Sequence, residues 1–183
     1  IASPEFVGNP EIGKPAMVVS ATISTSPTMI YFGQEVGEPA AENAGFGSAS
    51  RTSIFDYVGV PNHQRWVNDK KFDGGQLKPE EAALRDFYKR LLNFTINSEA
   101  LMGAYREIHF YNKEITENYN HRVLSYVRWS ENQKLIIVSN FDTNVHCSFD
   151  LKIPVDIINQ WQLSQGTYKL KDVLYGHTNS LKI

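Results

Sequence analysis

The chain of 183 residues has a single cysteine, Cys147. That excludes an intramolecular disulfide, and with it a disulfide scaffold and a cysteine-based zinc site. Exported bacterial proteins can also lack disulfides, so this does not decide the compartment; a periplasmic or extracellular place is favoured over a cytoplasmic one. No apolar stretch reaches the ~20 residues that a membrane helix needs. The longest, Ala16 to Phe32, is broken by Ser20, Thr22, Ser24, Thr25 and Ser26-Pro27. An excess of one charge is lacking as well: 18 basic and 20 acidic residues leave a net charge of −2. A dedicated nucleic-acid binder would show a basic face, so no nucleic-acid partner is expected. The five histidines (His63, His109, His121, His146 and His177) lack ligand spacing, and no metal site is expected among them. The first residues, IASPEF, carry no Met, basic cluster or apolar core. They are not a signal peptide, and the opening reads as a cut from something longer.

What is present is ordinary globular material, 42% apolar and 21% charged. The length suits one domain, or a small domain with a piece of another. Aromatic residues make up 12%, which suits β-rich structure or a sugar-binding surface.

Lys14-Pro15 followed by AMVVSATISTS predicts a buried helix, ended by Ser26-Pro27. Thr28 to Phe32 is a short unbroken apolar run closed by Gly33. It reads as a strand covered on both faces, as in a parallel sheet, for which the chain offers no parallel neighbours. Gly33 to Gly75 breaks the pattern and reads as irregular, with Trp66 and Phe72 as anchors. Pro79-Glu80-Glu81 opens a clear helix. Leu84, Phe87, Tyr88, Leu91 and Leu92 form its apolar stripe, and it is expected to end near Asn93. Beyond residue 100 the pattern alternates. Strands are predicted over Tyr105 to Tyr111, Leu124 to Trp129, Leu135 to Phe141, Val145 to Ile153, Tyr168 to Tyr175 and Ser180 to Ile183. Cys147 falls on the apolar side of the fourth and is expected in the core. The expected fold is α+β. A helix–strand–loop–helix region over residues 1–100 precedes an antiparallel sandwich over 101–183, whose last strand lacks a following partner and suggests a cut C-terminus.

PTMIYFGQEVGE, Pro27 to Glu38, resembles the eighth barrel strand and following loop of the α-amylase family, glycoside hydrolase family 13. Members read roughly Gly-x-Pro-x-Ile-Tyr-Tyr-Gly-x-Glu-Ile-Gly; Phe32 here stands for the second Tyr, and Ser26 for a common Thr or Gly. Arg51 to Asp56 resembles, more loosely, a stretch further down that loop. Leu84 to Arg106 resembles the last barrel helix running into domain C, the Greek-key sandwich that ends these enzymes; Asn140 and Pro154 fit its third and fourth strands. The resemblance runs in order over essentially all of the chain. It implies a C-terminal remnant of a (β/α)8 barrel followed by domain C, from a retaining glycoside hydrolase or transferase acting on α-glucans.

The resemblance also implies what is missing. Retaining enzymes use a carboxylate nucleophile and a carboxylic acid on either side of the scissile bond. In the family these end strands four and five, and an Asn-His-Asp motif ends strand seven. No Asn-His-Asp occurs in this chain. No catalytic residue is therefore assigned, and these 183 residues alone are expected to be inactive. The implied partners are an upstream catalytic barrel of the same protein and an α-glucan. No cofactor is expected here, the family's usual calcium belonging to upstream parts.

Gln34, Glu35, Glu38 and Arg51 are candidates for the rim of the substrate cleft, because barrel active sites sit at strand C-termini. The structural alternative has Glu35 buried as the loop's hydrogen-bonding residue and Glu38 solvated. Trp66, Phe72 and Tyr57 could stack on sugars or anchor the loop, and Trp129 and Trp161 could form a starch patch or a core; the bland role is expected in each case. The rival class is a non-catalytic carbohydrate-binding or interaction sandwich. It would leave the apolar run 28–32 unexplained, and it would bind malto-oligosaccharides with a Kd tighter than ~1 mM.

Overall fold

The computed structural model describes residues 8–39 and 60–183. The fold is α+β, with two small antiparallel sheets. The described residues group into two compact units, one holding 8–17, 27–39 and 60–90, the other 18–26 and 91–183. Among the described residues no helix is long and apolar enough to cross a membrane.

The first helix, α1, spans Gly13–Thr22. Pro15 lies within its first turn, where its missing N–H costs nothing. It ends just before the serine-rich stretch that leads to Pro27. The strand expected next does not form. Residues 27–31 carry no regular structure, Met29 is 86% exposed and Phe32 is half exposed. A strand with two apolar faces needs neighbours on both edges and cover on both sides. The first unit has no strand among its described residues.

A helix that the sequence reading missed, α2, covers Pro61–Val67. Proline at its first position was the available signal. Next, α3 runs Pro79–Asn97, one turn past its expected end. Its expected stripe is the packed face: Leu84, Phe87, Tyr88 and Leu91 are all buried. Each such side chain contributes on the order of 1.5–3 kcal/mol. In the first unit Met17, Val36 and Val60 are buried as well.

The second unit is built on β1 (Ala104–Glu107), β2 (Val123–Trp129) and β3 (Lys134–Asn140), in the order β1-β2-β3. β1 and β2 run antiparallel with Ala104 opposite Trp129, and β2 and β3 with Tyr126 opposite Ile137. A further hairpin pairs β4 (Thr167–Lys171) with β5 (Thr178–Lys182). The expected first strand is half right. It stops at Glu107, and α4 (His109–Ile115) takes over. The Glu107 carboxylate accepts from Phe110 N at 2.8 Å, giving the new helix its cap.

The alternating stretch from Val145 to Ile153 is not a strand in this structure. Asn112 of α4 stands in for a ladder there. Fully buried, it donates to Lys152 O at 2.9 Å and accepts from Lys152 N at 2.7 Å. Cys147 is accordingly half-buried rather than a core thiol. Pro154 then caps α5, Val155–Gln160, another helix missed in the sequence.

β2 is covered on both faces. Val127 packs with Ile108, Ile153, Ile157 and Trp161, flanked by Trp129 and Ile136. The two indoles meet edge to face at 6.2 Å, so this tryptophan pair is core and not an exposed sugar patch. On the other face Tyr126 shares a 2.6 Å hydrogen bond with Thr22. Burial pushes the Tyr126 hydroxyl up to about 12, against that bond.

Candidate functional site

The candidate rim residues lie in a tight knot of chain between residues 31 and 38. Gly33 and Gly37 flank a 3-10 turn, Gln34–Val36, at φ +75° and +68°. These are left-handed conformations that favour glycine. Space excludes a side chain as well: a Cβ on Gly33 would lie 2.8 Å from Glu38 Cβ, and one on Gly37 2.8 Å from Pro10 Cγ. Backbone bonds from Val36 N and Glu38 N to Gly33 O close the turn.

The three described candidates face different ways. Gln34 accepts from Tyr31 N at 3.1 Å and donates to Tyr88 Oη at 2.9 Å, with its amide also against the Met17 sulfur. Burial pushes the Tyr88 hydroxyl up, against the bond from Gln34. Glu38 is buried, and its carboxylate accepts from Asn62 N at 2.9 Å and His63 N at 3.1 Å. It thus satisfies two of the orphan N–H groups that open α2. Glu35 is half-buried, and its carboxylate makes no hydrogen bond to a described residue. The expected structural roles are therefore exchanged: Glu38 holds the loop, and Glu35 keeps the uncommitted carboxylate. Arg51 and Tyr57 lie outside the described residues.

A polar chain continues from Glu38 through Asn62. The Asn62 amide donates to Val36 O and Gly37 O, and its oxygen accepts from Arg65. Arg65 grips Glu81 in a two-pronged ion pair, with Nε 2.9 Å from Oε2. Glu81 also accepts from Lys78 N. Sequence spacing gives no sign of this network, because its three parts, 36–38, 62–65 and 78–81, lie far apart along the chain.

Burial works to raise the Glu81 carboxyl, but the bonds from Arg65 and Lys78 N outweigh it. The net position is below its ordinary 4.5. Arg65 is raised in turn, chiefly by its bond to Glu81. A carboxyl depressed in the folded state adds stability above its unfolded pKa and loses it as pH falls through the folded value. The guanidinium chloride midpoint of the first unit should hold steady down to about pH 5 and fall below that. Glu81→Gln should cost about 2 kcal/mol at neutral pH and flatten the acid limb. An unchanged acid limb in the variant would assign the acid sensitivity to other groups.

Beside this network runs a row of rings. Phe32 lies 4.1 Å from His63, His63 5.9 Å from Trp66, and Trp66 6.1 Å from Phe72. Arg85 sits over Trp66 at 5.0 Å, a cation–π contact that anchors the indole. The end rings are the open ones, Phe32 and Phe72 both being at least half exposed. Phe72 lies in a turn whose non-glycine residues Asn68, Asp69, Lys70 and Phe72 all have positive φ. Asp73 holds that turn by accepting from Asn68 and from Gly75 N.

No family model, no curated protein and no solved structure matches this chain.

The two buried carboxylates, Glu38 and Glu81, each serve N–H donors inside the fold. Among the described residues no cluster of three His, Cys, Asp or Glu side chains could hold a metal ion.

Proposed function

We propose that this chain is a C-terminal region of an α-glucan-acting retaining glycoside hydrolase of the α-amylase type. It shapes one rim of the glucan cleft and carries domain C, and it supplies no catalytic carboxylate. The observation that carries this reading is the segment from Pro27 to Glu38. Its resemblance is densest where the geometry is most demanding, at the two left-handed glycines around the 3-10 turn. The uncommitted Glu35 carboxylate and the exposed ring of Phe32 sit in and beside that turn, a combination suited to a sugar-binding rim. In the intact enzyme Thr28 to Phe32 would be the eighth barrel strand, paired on both edges by strands supplied from upstream. The alternating run Val145 to Ile153 would likewise be a strand of a Greek-key sandwich.

The test is the reading frame that contains these residues. Upstream of Ile1 it should encode an Asn-His-Asp motif. Its full product should hydrolyse maltoheptaose with retention of anomeric configuration, followed by proton NMR. The 183-residue chain alone should not. A frame without that motif, or a product inert on α-glucans, would sink the reading.

A further inference from the structure

A concave site lies within the second unit, on residues other than those just described. A cavity of about 630 Å³ opens between the end of β1 and the starts of α4 and α5. That volume falls within the range of small-molecule sites, ~300–1,000 Å³. Its wall carries Arg106, Glu107, Phe110, Tyr111, Val155 and Asp156. Two rings line it, and both are open to solvent: Phe110 is 66% exposed and Tyr111 38%. Arg106 and Asp156 face each other at 3.6 Å, both more than half exposed. So loose a surface pair gains little from its own contact. Its donors and acceptors are available to a ligand at little cost.

We propose that this cavity binds a short α-glucan, with Phe110 and Tyr111 against the sugar faces and Arg106 and Asp156 on the hydroxyls. The identity of the glucan rests on the function proposed above; the place of binding rests on the cavity. A sugar presents an apolar C–H face and a rim of vicinal hydroxyls, each both donor and acceptor. The wall offers the complement: rings beside one guanidinium and carboxylates. An apolar peptide would leave those charges buried without partners. An anion would meet Glu107 and Asp156 against the single Arg106.

Titrating maltoheptaose into the full chain labelled with nitrogen-15 tests the proposal. Amide shifts should appear at residues 106–111 and 155–156 and saturate with a Kd somewhat weaker than ~1 mM, as befits a shallow site. Phe110→Ala should weaken binding about tenfold and leave the rest of the spectrum unchanged, since the ring is mostly exposed. Asp156→Ala should weaken it by a smaller factor. Shifts confined to residues 31–38 and 63–72 would overturn the cavity while keeping the α-glucan reading. Equal binding of a cello-oligosaccharide at the cavity would overturn the α-glucan specificity. No shift at all would overturn the proposal, and the hydrolysis assay on the full reading frame would still judge the enzyme reading by itself.

Discussion

Arg128→Ala should unfold the second unit or leave it barely stable. Arg128 is 1% exposed near the end of β2, and no carboxylate pairs with it among the described residues. Its guanidinium bonds backbone carbonyls only. Nη1 donates to Thr22 O at 2.9 Å, Nε to Ala104 O at 3.2 Å, and Nη2 to Gly103 O at 3.2 Å and to Leu101 O. These acceptors share a cause. Thr22 is the last residue of α1, and Leu101 lies in the 3-10 turn Glu99–Met102. Helix ends leave carbonyls without intrahelical partners, and they carry the negative end of the helix dipole. One cation therefore caps two helical ends and the start of β1. Burial pulls the guanidinium below its ordinary value, but arginine keeps its charge even so.

Truncation to alanine would strand up to four acceptors in a dry interior. At ~1–3 kcal/mol for each unsatisfied group, the loss should be about 5 kcal/mol or more. That is comparable with the whole stability of a small domain, ~5–15 kcal/mol. Arg128→Lys should lose less, about 3 kcal/mol, because an ammonium keeps the charge but cannot fork across as many carbonyls. Arg128→Met should resemble alanine more than lysine, since it restores volume and no donor. Chemical denaturation with hydrogen exchange at the β2 amides measures all three. A lysine variant no better than methionine would show that packing, not hydrogen bonding, carries the effect.

That arginine also marks the limit of what the sequence reveals. In VLSYVRW the alternation places Arg128 with Leu124 and Tyr126, as an outward face would read. Its partners come from residues 22 and 101–104, a relation that no local pattern carries. The same limit explains Glu38, which caps a helix more than twenty positions away. Where one element decides its own structure, the sequence was legible. The stripe of α3, the proline start of α1 and the positions of β2 and β3 all appear close to where the local pattern placed them. Short helices escaped because six or seven residues hold too few turns to show a period. The apolar run at 28–32 misled for the opposite reason. Its pattern specifies burial on two sides, and no strand among the described residues of its unit supplies that cover.

The second large effect is expected one residue before β1. Gly103 has φ −94° and ψ −152°, a conformation open to any residue, so backbone freedom does not require glycine there. Space does. A Cβ would stand 2.0 Å from Trp129 O and 2.8 Å from Trp129 C. Both are backbone atoms of the central strand, and neither can swing aside as a side chain would. Relief requires the start of β1 to lift from β2. That motion breaks the Ala104–Trp129 pairing and withdraws Gly103 O from Arg128. Gly103→Ala should therefore cost about 3 kcal/mol or more, at the upper end for overpacking. The neighbouring Met102, 74% exposed, provides the control: Met102→Ala should cost less than about 0.5 kcal/mol. Because both changes act on the same carbonyl, Gly103→Ala with Arg128→Lys should lose less than the sum of the two singles. Full additivity would mean that the strand start and the guanidinium are held independently. A Gly103→Ala protein as stable as the parent would mean that β1 lies further from Trp129 than the 2.0 Å contact requires.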